Sequence, residues 1–211
     1  METSRTMKKN RTIALRIAIT GVVAVLSLHP LAAQKTAKEA ETPHKPEDYA
    51  MLLPGENQKL LEPFVGKWEA DLRTWGHGTP PPEFKMKQTM DTKWTLDGYF
   101  LQTEFTALPE GAPAPFRGVI YRGYNPAREK HVAVQFTNAD AREIFWLGTY
   151  DAATKTFTYE AEERDPYLGD AFQRKDVYRI EGPDQYFYQL LYKFKDGSEI
   201  KAIEGTFKRV K

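Results

Sequence analysis

The chain has 211 residues, a formal net charge of +1, 13% aromatic side chains and no cysteine. The length suits one domain with a leader, and the lack of cysteine excludes disulfides, thiolate catalysis, zinc–thiolate sites and a lipid-anchored N-terminal cysteine. The first thirty-three residues hold five basic side chains and one acid; without them 25 basic and 28 acidic residues remain, a net of −3, which argues against nucleic acid or an anionic membrane as the main partner.

Residues 1–33 read as a secretory signal. Lys8, Lys9, Arg11 and Arg16 form a positive start, Ile17 to Leu28 is an apolar run, and Leu31-Ala32-Ala33 supplies small residues suited to a peptidase. The alternative is an uncleaved anchor, but the run falls short of the roughly 20 apolar residues that span a bilayer. The expectation is an exported protein, periplasmic or secreted, with no stable membrane anchor after cleavage. Residues 34–55 are expected to be a mobile tether, since Gln34 to Glu47 holds almost nothing apolar to bury. Residues 56–211 then form the single domain. Leu60, Leu61 and Phe64 are spaced for one or two helical turns, and Pro63 suits a 3-10 piece ending at Gly66.

From Trp68 onward the apolar period changes from about 3.6 to 2. Ten strands are expected: Trp68–Trp75, Phe84–Leu96, Tyr99–Ala107, Phe116–Tyr124, Lys130–Thr137, Glu143–Tyr150, Thr156–Glu163, Phe172–Ile180, Gln185–Phe194 and Glu199–Arg209. Turn signals separate them, among them the Asp97-Gly98 pair, which accommodates positive φ. Turns every 8 to 15 residues with no long helical pattern between them predict an all-β antiparallel meander of about 8–10 strands. Closure into a barrel removes its two free edges; a flat β-sandwich is the alternative.

Gly66-Lys67-Trp68 after a short helical lead-in is similar to the Gly-x-Trp opening of lipocalin-like barrels. That resemblance implies that the lead-in closes one barrel end and that Trp68 packs under a basic residue of the last strand, for which Arg209 is placed, with Gly66 as the third structural residue. Residues from about Leu60 to Arg209 resemble the family known as domain of unknown function 1579, through Phe64-Val65-Gly66-Lys67-Trp68-Glu69, Trp94 to Gln102, Gly148 to Thr156 and Glu204-Gly205-Thr206-Phe207-Lys208-Arg209. This resemblance implies a bacterial, lipocalin-like protein, secreted or single-domain, with no assigned activity and no catalytic residues to carry over.

Most catalytic chemistries lack their residues. Beyond residue 33 the one serine is Ser198, in the turn Asp196-Gly197-Ser198, with no His nearby and no strand-to-helix elbow. Of four histidines, His29 lies in the leader and His44 in the tether, leaving His77 and His131, too few for a zinc site without carboxylates. Strands eight to ten hold no His to serve as an axial haem ligand of the nitrobindin type, and no glycine-rich loop leads into a helix to cradle phosphate. No metal or cofactor is therefore expected.

Acids, arginines and aromatics on the strands remain. Glu204 shares a face with Ile200, Ala202 and Thr206, and enters the barrel if that face points inward. Glu104 shares one with Phe100 and Gln102, which leaves its direction open. A buried acid needs a partner, and Arg122, Arg174 and Gln135 are candidates. Tyr186, Tyr188, Leu190 and Tyr192 line one face of the ninth strand, Trp146 sits with Ile144 and Gly148, and Tyr178 with Phe172 and Ile180. Tyrosines with sparse charged anchors suit a small-molecule cavity. The expected ligand-binding set is Glu104, Arg122, Gln135, Trp146, Tyr178, Tyr188 and Glu204, for a small, partly hydrophobic ligand held non-covalently. Two other readings stay open: an enzyme using Glu104, Glu204 or Arg122 for acid–base chemistry, and an envelope structural or interaction module, for instance a homodimer.

Overall fold

The structure is a computed structural model that describes residues 53–76, 81–139, 141–164 and 171–211. The leader and all but the last residues of the tether lie outside these. The first helix is α1 (Glu56–Lys59), whose Gln58 and Lys59 N–H groups donate to the Gly55 carbonyl and whose Gln58 side chain accepts from the Gly55 N–H. A 3-10 turn follows at Glu62–Phe64, with Pro63 in its first two positions, where a missing N–H costs nothing.

Ten strands then run up and down: β1 (Gly66–Trp75), β2 (Glu83–Thr95), β3 (Phe100–Pro109), β4 (Phe116–Asn125), β5 (Lys130–Thr137), β6 (Ile144–Asp151), β7 (Thr156–Arg164), β8 (Ala171–Gly182), β9 (Gln185–Phe194) and β10 (Glu199–Arg209). Each pairs antiparallel with its neighbour in sequence, and β1 pairs with β10, so the sheet is a closed barrel without a free edge. This is the closed barrel expected from the alternating pattern, in the lipocalin-like form that the Gly66-Lys67-Trp68 resemblance implies. Leu72, Met90, Leu101, Phe157, Tyr186 and Phe207 are among the side chains that fill its interior. The outer face is mostly polar, though Phe136, Phe145 and Leu147 stand exposed on β5 and β6.

One end is shut by the lead-in. Phe64 inserts between strands, with ring centroids 5.4 Å from Phe157, 5.8 Å from Tyr178 and 5.2 Å from Tyr186. Trp68, 1% exposed, donates its Nε1–H to the Phe64 carbonyl at 2.8 Å. Arg209 lies over the Trp68 ring at 4.2 Å and donates to the carbonyls of Val65, Pro63 and Pro183. Gly66 is at φ +117°, where a Cβ would run into that guanidinium. The last strand is thus bolted to the lead-in by a fork that lysine cannot imitate.

Alternation assigns the inward side chains along most of the barrel; the register shifts near the end of β8, between Ile180 and Gly182, and within β10. There a bulge between Lys201 and Ile203 places Ala202 as an extra residue, and from that point the two faces exchange. Ile203, Gly205 and Phe207 face inward, and Glu204 pairs across from Gln189 on the outside.

Candidate functional site

Eight strands make an interior that side chains can just fill, and ten make a wider one. The extra room appears toward the end opposite Phe64, where a cavity of about 220 Å³ lies among residues of β2, β3, β4, β5, β6, β8, β9 and β10. One side is apolar, made by Met86, Met90, Phe105, Phe116, Ile120 and Ile144. The other is polar, made by Arg174, Tyr178, Tyr188 and Tyr192 of β8 and β9, while Gln88 sits between Met86 and Met90 and Gln135 between Ile120 and Ile144.

At the polar wall lies a charge cluster around Asp176, 2% exposed. Its carboxylate accepts from Arg174 Nε at 2.7 Å and Nη2 at 3.0 Å, from Trp146 Nε1 at 2.9 Å and from the Tyr188 hydroxyl at 2.8 Å. Arg174 also lies over the Trp146 ring at 4.8 Å. Burial opposes the Arg174 charge, but Asp176 beside it holds the guanidinium well above its ordinary pKa. Burial, and then the same carboxylate, push the Tyr188 phenol well up. The four donors saturate Asp176, which serves as the fixed counter-ion of Arg174.

Arg122 is different. It is 4% exposed, on β4 one layer nearer the closed end, and among the described residues no carboxylate lies beside it. It donates to the Thr103 hydroxyl at 3.1 Å and to the Tyr178 hydroxyl at 3.1 Å, and lies over the Tyr178 ring at 5.0 Å. Burial works against its charge, and the phenol oxygens of Tyr178, Tyr159 and Tyr186 outweigh that, so it stays a cation. Burial raises the Tyr178 pKa, so this residue faces the cavity as a neutral phenol whose oxygen is already occupied by Arg122.

Two glutamines complete the lining. Gln88 and Gln135, 8% and 7% exposed, line the cavity, and their side-chain amides have no hydrogen-bond partner among the described residues. Deeper in, the Tyr159 hydroxyl and His131 Nδ1 are also without partners among those residues. Burial pushes the His131 imidazole down to about 4.

Five of the expected ligand-binding residues, Arg122, Gln135, Trp146, Tyr178 and Tyr188, therefore come together inside the barrel. The two glutamates do not. Glu104 is exposed on β3, because Leu101, Thr103, Phe105 and Ala107 take the inward positions; it accepts from Gln102 at 3.1 Å. Glu204 is turned out by the β10 bulge and bonds Arg73, Lys201 and Gln189, which hold its pKa below the usual range despite partial burial. Glu104 lines instead a shallow outer hollow of about 990 Å³ over β1–β4, where Lys67, Asp91 and Arg117 mix both signs of charge in contact with solvent. Asp176 and Gln88 were absent from the expected set. The spacing Arg174, Asp176, Tyr178 on one strand face was the available signal, as was Gln88 between Met86 and Met90. Among the described residues no group of three or more His, Asp or Glu is placed to hold a metal ion.

Solved structures share this architecture. The crystal structure of Rv2717c from M. tuberculosis superposes with a TM-score of 0.57 at 14% identity, over 75% of this chain and 100% of that one. The S-type phycobiliprotein lyase CPES from Guillardia theta superposes with a TM-score of 0.50 at 12% identity, over 80% and 99%. At such identities the likeness is one of fold. No curated protein matches the chain. Residues 53–209 match the family model described as "Protein of unknown function (DUF1579)", so this chain belongs to that family.

Proposed function

We propose that this protein is an exported carrier that holds one small, partly hydrophobic molecule non-covalently in the cavity at the open end of its barrel. The observation that carries the reading is the pair Gln88 and Gln135, whose amides face the cavity with no hydrogen-bond partner among the described residues. A guest with one polar end facing an apolar remainder bonds these amides and displaces the water that otherwise meets them in the cavity. A volume of 220 Å³ has room for about seven waters at liquid density, or an organic molecule of roughly ten non-hydrogen atoms. Export rests on the basic start and apolar run of residues 1–33.

The acid–base alternative loses its groups, since it requires two of Glu104, Glu204 and Arg122 in one volume and only Arg122 lies inside. The test is native mass spectrometry of the protein purified from an exporting host, repeated after denaturation and solvent extraction. A stoichiometric extra mass that leaves on unfolding is expected. A bare protein that also fails to bind any small apolar probe overturns the reading.

A further inference from the structure

Among the described residues, the charges inside the barrel do not sum to zero. Arg174 and Asp176 form a closed pair with short bonds on both carboxylate oxygens. Arg122 stands outside that pair, with only the neutral oxygens of Thr103 and Tyr178 as acceptors. Thr103 in turn shares a hydroxyl contact with Thr92 at 2.9 Å, so no chain of bonds among the described residues leads from Arg122 to an acid. A buried cation without a partner is costly, and proteins ordinarily answer it with a carboxylate. Here the strand positions that would supply one on β3 and β10 turn Glu104 and Glu204 outward.

The cavity borders this excess charge through Tyr178. Its oxygen accepts from Arg122, which strengthens its own O–H as a donor, and no acceptor among the described residues takes that proton. Gln135, on β5, offers two N–H donors and a carbonyl, all without a partner among the described residues. The cavity thus presents unused donors beside an uncompensated cation, while the one acid behind its polar wall is saturated.

Resting on the binding role proposed above, we infer that the guest of this barrel is an anion: a small carboxylate, or a molecule with a comparably acidic oxygen, on an apolar body. Its negative group lies at Tyr178 and Gln135 within the field of Arg122, and its body lies against Met86, Phe105, Phe116 and Ile144. Arg122 is a positioning residue, acting through Tyr178 and through its charge.

Matched probes test this on the full chain. Benzoate and benzamide, phenylacetate and phenylacetamide, and octanoate and octanamide differ within each pair only at the charged group, and titration calorimetry reads their affinities. The expected result is that a carboxylate binds at least tenfold more tightly than its amide, with the preference falling below threefold in Arg122→Gln, which keeps polar contact with Thr103 and Tyr178. Arg122→Met, of similar length, serves as the second variant, and far-ultraviolet circular dichroism confirms that each variant is folded. Amides binding as well as carboxylates overturn the inference and leave the carrier reading standing. A carboxylate preference that survives in both variants likewise overturns it. A neutral or basic molecule released from the purified protein does the same. Failure of all six probes, together with a bare protein mass, removes both.

Discussion

Acidification from pH 7.5 to 5 is expected to weaken this barrel by about 2 kcal/mol through one histidine. His131 lies on β5, 3% exposed, edge-on to Tyr124 at 5.3 Å and to Phe157 at 5.0 Å, with Nδ1 unpartnered among the described residues. No acid among those residues offsets a charge on the ring, and burial lowers its pKa from 6.5 to about 4. Between these values the unfolded chain takes up a proton that the folded one refuses. Stability therefore rises with pH in this window; the contribution is complete above pH 6.5 and is lost as pH falls toward 4. At pH 5 the protonated imidazole outweighs the neutral one about thirtyfold in the unfolded chain, while the folded ring stays mostly neutral. At about 1.4 kcal/mol for each factor of ten, the unfolded state gains about 2 kcal/mol. Urea unfolding at half-unit pH steps measures it, with His131→Phe as the control because a phenyl ring keeps the two edge contacts. The parent should lose stability relative to the variant as pH falls. Parallel curves from pH 7.5 to 5 would refute the reasoning and show that the imidazole protonates in place.

Asp176→Asn should destabilise by about 3–5 kcal/mol in the same unfolding assay, because it strands Arg174 as a second buried cation; a loss below about 1 kcal/mol would show that water already solvates the cluster. Arg209→Ala should cost about 2–4 kcal/mol, from the lost ring contact with Trp68 and the lost bonds to the lead-in carbonyls. Arg209→Lys should recover less than half of that, and full recovery would mean that charge alone matters.

The barrel was legible because nearly every strand alternates over its whole length, and turn residues mark nearly every crossing. The direction of the interior was legible where one face is plainly apolar, as with Tyr186, Tyr188 and Leu190 on β9. It failed where parity is broken or contested. Nothing about Ala202 marks it as the extra residue of a bulge, because a small side chain suits either face, yet that one insertion moves Glu204 outside. On β3 both Phe100 and Leu101 compete for the inward position. The polar Thr103 lies on the inward face because Arg122 needs an acceptor there, a need visible only across the barrel. The site residues were readable in type, and the pairing of Asp176 with Arg174 was readable in spacing. The isolation of Arg122 depends on contacts between β3, β4 and β8 that no local pattern encodes.

The β1–β10 seam also sets an order of events. Every other pairing joins neighbours across a short connection, while the seam joins Arg73 to Glu204 across 131 residues and Arg209 to Pro63 across 146. Contacts so distant in sequence form slowly. Until β10 docks, β1 and β9 are open edges able to pair with another chain, the lead-in has no bolt, and the cavity lacks the wall that Ile203 provides. The final eleven-residue strand therefore completes the container and removes its adhesive edges in the same step, so a chain interrupted before Glu199 would be both empty and prone to aggregate.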